Sequence, residues 1–225
     1  MIIGVVVVLL VGTTGARLLQ RPETSGSAGR EVAISAVMPI LRGHKHVAVS
    51  GTITAFNERF SKLTVRPDNI PTAELEVKLG QTLPSLVIGN ECTAIGLLRH
   101  YSYGFYTLED AVLAPGSSSH QVATPQELGV YLEAIQGDAI VVARGRVTNA
   151  SVLKDVARYD GPPEDVPVLD LICYDGLSSD TFSLNVFLGG EVLPDGLRNG
   201  SVVEVSGRLK DFAGLSLHDA TLRGR

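Results

Sequence analysis

The chain has 225 residues, 44% of them hydrophobic and 19% charged, and a formal net charge of −5. That is the composition of one or two folded domains and excludes a disordered chain, while the acidic balance gives no chain-wide attraction to phosphate backbones. Two cysteines, Cys92 and Cys173, are too few for a disulfide framework and read as reduced, small apolar residues.

The N-terminal segment MIIGVVVVLLVGTTGARLLQR carries an unbroken hydrophobic stretch of Val5, Val6, Val7, Val8, Leu9, Leu10 and Val11, preceded by Ile2 and Ile3. A helix over the first sixteen residues spans roughly 24 Å. Leu18 and Leu19 extend it, with Arg17 reaching toward the headgroups, to within range of the ~30 Å hydrocarbon core. The leading reading is a transmembrane anchor over 1–19. A cleaved signal competes, although no basic residue precedes the run. A buried strand competes too, although the glycines do not form G-x-G-x-x-G. Arg17, Arg21 and Arg30 all follow the apolar run, so the positive-inside tendency places the folded part on the cytoplasmic side of a single-pass membrane protein.

Residues 20–30 are polar and rich in Gly and Ser, a tether. Beyond it, alternation of period two dominates. Strands are expected over 46–55, 62–67, 73–79, 91–98 and 104–113, followed by a Gly/Ser break at 114–120. The stretch TPQELGVYLEAIQG (124–137) has a Thr cap, an early Pro, a Glu three residues after the cap and a closing Gly, the pattern of a helix. A second strand series is expected over 139–149, 166–174, 181–188, 201–209 and 214–222.

The two series repeat each other. GLLRHYSYGFYTLEDAVL (96–113) and GRLKDFAGLSLHDATL (207–222) both run from a glycine to an L-x-D-A-x-L closure, and Gly51 and Gly145 fall at matching points of the two long first strands. A glycine inside a long strand marks a bend or bulge. Five strands with a bent first strand describe the OB-fold, a five-stranded Greek-key barrel. The expected class is therefore mainly all-β, with OB-like barrels over 31–116 and 121–225, the N-terminal transmembrane helix, and one short helix between the barrels.

The residues ELGVYLEAIQGDAIVVARGRV (127–147) and NGSVVEVSGRLKDFAGLSLHDATL (199–222) make the second module resemble the tRNA-anti-like group of OB-fold domains. The resemblance covers roughly the last hundred residues and brings no catalytic motif. It departs from the group at 189–200, a turn where members carry a helix.

The chemistry-bearing residues are scattered. Tyr101, Tyr103, Phe105 and Tyr106 form the one aromatic cluster, and alternation puts the first three on one face of a hairpin, a candidate partner-binding patch. His44 and His46 have metal-chelating strand spacing but lack a third ligand nearby, and read as the solvated start of a strand. Asp110 and Asp219, one per module, read as a shared turn or sheet-edge feature rather than an acid/base pair. No constellation for a reaction, a cofactor or a metal emerges. Arg17, Arg21, Arg30 and Glu23 lie in the first thirty residues, leaving 16 Lys and Arg against 23 Asp and Glu beyond them. Nucleic acid is thus an unlikely partner by charge. The leading expectation is a non-catalytic, membrane-anchored subunit packing two barrels on an integral membrane protein complex, by analogy with accessory subunits of respiratory or photosynthetic complexes. The alternative is a membrane-tethered OB-fold binder of single-stranded nucleic acid or another polymeric ligand.

Overall fold

The computed structural model describes residues 29–80, 86–101, 105–115, 120–156, 164–174, 180–189, 192–211 and 215–223. The elements are β1 (Glu31–Ala33), α1 (Ile34–Leu41), β2 (Val47–Asn57), β3 (Lys62–Pro67), β4 (Leu75–Leu79), β5 (Glu91–Tyr101), β6 (Phe105–Leu113), α2 (Pro125–Gln136), β7 (Ile140–Val156), β8 (Glu164–Tyr174), β9 (Thr181–Leu188), β10 (Val202–Asp211) and β11 (Leu215–Arg223).

Strands β2, β3, β4, β6 and β5 close into a barrel in that order, and β7, β8, β9, β11 and β10 repeat the order in a second barrel. In each, the third strand runs parallel to the fifth and the remaining neighbours are antiparallel. This connectivity is that of tandem OB-like barrels.

The repeated glycines sit where the barrels turn. β2 pairs with β5 over 47–52 and with β3 over 51–57, so Gly51 lies where the strand changes partner. β7 does the same with β10 and β8 around Gly145. A Cβ on Gly51 would stand 2.2 Å from the Arg66 carbonyl oxygen. Only a residue without a side chain allows that approach.

The second repeated sentence encodes a bulge. Ile95 pairs with Val112 and Leu97 with Glu109, leaving Gly96 opposite both Asp110 and Ala111. Ser206 pairs with Thr221 and Arg208 with His218, leaving Gly207 opposite Asp219 and Ala220. Asp110 and Asp219 are left-handed, with φ of 49° and 50°. Aspartate tolerates this region better than most side chains, and the facing glycine leaves room for the extra residue.

α2 forms because its ends are satisfied. Thr124 accepts from the Glu127 amide, Glu127 returns a bond to the Thr124 amide, and Gly137 closes the helix at φ 79°. Its buried face is Leu128, Tyr131, Ala134 and Ile135, with Leu132 half-buried.

Two elements fall outside the expected plan. Residues 31–33, expected in the first module, form β1 and pair in parallel with β7 of the second barrel. α1 follows directly and packs on α2, β5 and β7. Val37, Met38 and Ile40 of α1 join Leu128 and Tyr131 of α2 in one buried cluster that includes core residues of both barrels. The core is therefore continuous across the Gly/Ser break. The anchor residues Ile2, Ile3, Val5, Val6, Val7, Val8, Leu9, Leu10 and Val11 lie outside the described residues. Among the described residues no helix is long and apolar enough to cross a membrane.

Candidate ligand-binding face

OB barrels present ligands to the outer face around strands two and three and to the loops joining strands one to two and four to five. In the first barrel Lys62, Lys78 and Arg99 are already engaged, while Arg66 of β3 is exposed and in no ion pair among the described residues. Lys62 Nζ lies 3.1 Å from both Glu76 carboxylate oxygens, Lys78 Nζ lies 2.8 Å from Glu109 Oε1, and Arg99 Nε lies 3.7 Å from Glu109 Oε2. This ladder crosses four strands and ties three cations to two carboxylates.

The second barrel differs. Alternation turns Val141, Ala143, Gly145 and Val147 inward on β7, so Arg144 and Arg146 point out and are exposed. On β8, Leu169, Leu171 and Cys173 point in while Ile172 and Tyr174 face solvent, Tyr174 being 67% exposed. On β9, Thr181, Ser183 and Asn185 are the outward residues. The register aligns Arg146, Ile172 and Ser183 in one row, and Tyr174 with Thr181 in the next. Arg144, Arg146 and Tyr174 line a common open groove of about 500 Å³, walled by Val142, Val202 and the α1 residues Ile34 and Ser35. Glu204 also lines it, opposite Arg144 in register. Neither arginine is held in an ion pair among the described residues.

Farther round the same barrel, the His218 ring stacks on Phe187 with centroids 4.5 Å apart, and its Nε2 lies 3.2 Å from Ser216 Oγ. Burial, then the Lys210 charge, hold His218 below its ordinary pKa, with Asp219 opposing. Ser216 donates to the Lys210 carbonyl, so its hydroxyl is already committed within the sheet rather than poised as a nucleophile.

The residues expected from sequence are dispersed by the fold. Tyr101 ends β5 and pairs with Phe105 across the hairpin between strands four and five of the first barrel. Phe105 is 69% exposed, as a partner-binding residue requires. Tyr103 lies outside the described residues. Tyr106 is not available to a partner: it is 3% exposed, packs against the His100 ring, and accepts from Gln136 Nε2 of α2 at 3.3 Å. The reading of His46 as solvated is corrected as well. It is 6% exposed and stacks on His120. No group of three or more metal-ligating side chains converges among the described residues. Cys92 and Cys173 are free thiols, and burial pushes Cys173 up to about 11. Arg144, Arg146 and Tyr174 were missed by sequence reasoning. The signal was the R-x-R at strand spacing in ARGRV, which places two cations on the outward side of a first strand.

No family model matches the chain, and no curated protein matches it. Two solved structures with which it aligns are drosophila Unr CSD456 and a deletion mutant of the single-stranded DNA binding protein from Thermus aquaticus. The first is 13% identical with a TM-score of 0.23, over 79% of this chain and 63% of that one, so this chain spans less than two thirds of its length. The second is 14% identical with a TM-score of 0.25, over 81% of this chain and 96% of that one.

Proposed function

We propose that the chain is a non-catalytic, tandem OB-fold binding module that takes single-stranded nucleic acid on the outward face of β7, β8 and β9. The observation that carries this reading is the convergence of Arg144, Arg146 and the exposed Tyr174 on one open groove, with neither guanidinium in an ion pair among the described residues. Single-stranded nucleic acid is held by cations that track the phosphates and by aromatic faces on which bases stack. Ile172 and the small polar residues Thr181, Ser183 and Asn185 leave the sheet beside Tyr174 low enough for a strand to lie across it.

The net charge of −5 argues for weak, short-site binding rather than an extended electrostatic track. It does not argue against the site itself, because the charge is spread over the whole chain while Arg144 and Arg146 stand side by side on the outward face of one strand. Titration of the protein into a fluorescent single-stranded oligonucleotide, followed by anisotropy, tests the assignment. A membrane tether over residues 1–19 remains compatible with this reading and would confine the module to a surface.

A further inference from the structure

The segment 120–123 crosses the start of β2 on its way to α2. The His46 amide donates to the Gln121 carbonyl at 2.9 Å, and the Ala123 amide donates to the His46 carbonyl at 2.8 Å. These two bonds form a parallel bridge between His46 and Val122. Directly over it, the imidazoles of His46 and His120 stack with centroids 4.2 Å apart and planes inclined by 23°. One residue earlier, Lys45 Nζ lies 2.5 Å from Glu127 Oε1, the carboxylate that also caps α2. The first barrel is thereby fastened to the N-terminus of α2, the helix that packs against β10 of the second barrel.

We propose that the stacked His46–His120 pair is an acid-released latch between the two barrels. Two neutral imidazoles stack favourably, whereas two imidazolium rings at this separation repel, and His46 is too buried to recover the lost interaction from water. The charged and titratable groups placed around His46 are Lys45 and His44 on its own segment, Asp110 from β6, His120 from the crossing segment and Glu127 from α2. Asp110 favours the protonated ring, but Glu127 is occupied by Lys45, and a charged His46 ring lies face to face with the His120 ring in a buried position. Burial and His120 hold His46 below its ordinary value of 6.5 against Asp110. A histidine depressed in the folded state contributes stability that is present above pH 6.5 and is lost below it, as the pH falls through the lower folded value. The latch is therefore closed at neutral pH and opens on mild acidification, releasing the 120–123 crossing from the start of β2 while each barrel keeps its own ladder and the shared α1–α2 cluster stays packed.

Amide hydrogen exchange on the full-length chain, corrected for intrinsic rates, tests this at pH 7.5 and pH 5.5. The His46 and Ala123 amides are expected to lose protection by at least about tenfold at the lower pH, while amides of the β2–β3 and β7–β8 ladders keep theirs. His120→Gln, at an exposed position, should shrink the loss, and the His46→Gln/His120→Gln pair should abolish the pH dependence. Equal protection of the two amides at both pH values would overturn the latch. So would a loss that persists undiminished in the double variant, because the titrating group would then lie elsewhere.

Discussion

Gly145 of β7 faces Cys173 of β8 so closely that a Cβ at residue 145 would stand 2.6 Å from the Cys173 Sγ and 2.9 Å from the Ile172 carbonyl oxygen. The matching glycine of the first barrel, Gly51, meets backbone alone, with Arg66 O at 2.2 Å and Pro67 Cα at 2.8 Å. Backbone cannot yield as a side chain can. Gly51→Ala and Gly145→Ala are therefore expected to destabilise the protein by roughly 2 kcal/mol or more, with Gly51→Ala the worse. Cys173→Ala should recover part of the Gly145→Ala loss, measured as a non-additive term in a denaturant double-mutant cycle.

The bulge aspartates set an order of substitution. At φ 49° and 50°, Asp110 and Asp219 occupy a region that glycine enters freely, that Asn and Asp tolerate, and that β-branched residues avoid. Asp219→Gly is expected to be neutral or mildly stabilising. Asp219→Val should cost about 1–2 kcal/mol. Thermal melts of the three proteins check the ranking, and a valine variant that melts with the parent would remove the conformational reason for the repeated D-A.

Helix α2 carries a pH-dependent cap. The Lys45 ammonium, then the Thr124 amide, hold the Glu127 carboxyl below its ordinary 4.5. A carboxylate depressed in the folded state contributes stability that is present above pH 4.5 and is lost as the pH falls through its folded value. The difference in melting temperature between the parent and Glu127→Gln should thus be constant above about pH 5 and shrink toward pH 3. Thr124→Ala, which removes the reciprocal bond, should cost about 1 kcal/mol at neutral pH.

Much of the architecture was readable in the residues, and the exceptions have physical causes. β3 and β9 coincide with the expected 62–67 and 181–188, because each alternates cleanly between turn residues. β7 continues seven residues beyond the expected 149, through ASVLKDV, because that stretch is held by pairing with β8 rather than by a buried face. β1 is three residues long, too short to show a period. α1 lacks a side-chain cap at Ala33, contains Pro39 and is apolar on most sides, so it carries none of the usual helix signals, and its burial against α2 and two strands is what stabilises it. The candidate face was hidden for a related reason. Arg144 and Tyr174 are thirty residues apart in the chain, and only the β7–β8 register brings them to one groove.

The continuity of the core predicts how the barrels depend on each other. Met38 is 1% exposed and belongs to the cluster that reaches both barrels. Met38→Ala should cost about 2–5 kcal/mol and lower the stability of both barrels together. A fragment of residues 121–225 lacks β1 and α1, and is expected to melt below the full chain and to bind a hydrophobic dye at the exposed flank of α2 and β7. A fragment as stable as the full chain would place the boundary at the Gly/Ser break after all.

The salt dependence of binding to a single-stranded oligonucleotide, compared between the parent and the Arg144→Ala/Arg146→Ala pair, tests the functional reading most directly. Each phosphate contact contributes a slope of about −0.7 in log affinity against log salt for single strands, so the pair should lose about 1.4 of the parent slope. Tyr174→Ala should weaken binding by roughly tenfold, about 1.4 kcal/mol, at an unchanged slope, because it removes stacking and no charge. Lys78→Ala, in the first barrel's ladder, should leave both quantities as they are. Binding that is absent in the parent, or equally strong and equally salt-sensitive in the arginine pair, would contradict the assignment of the β7–β8–β9 face.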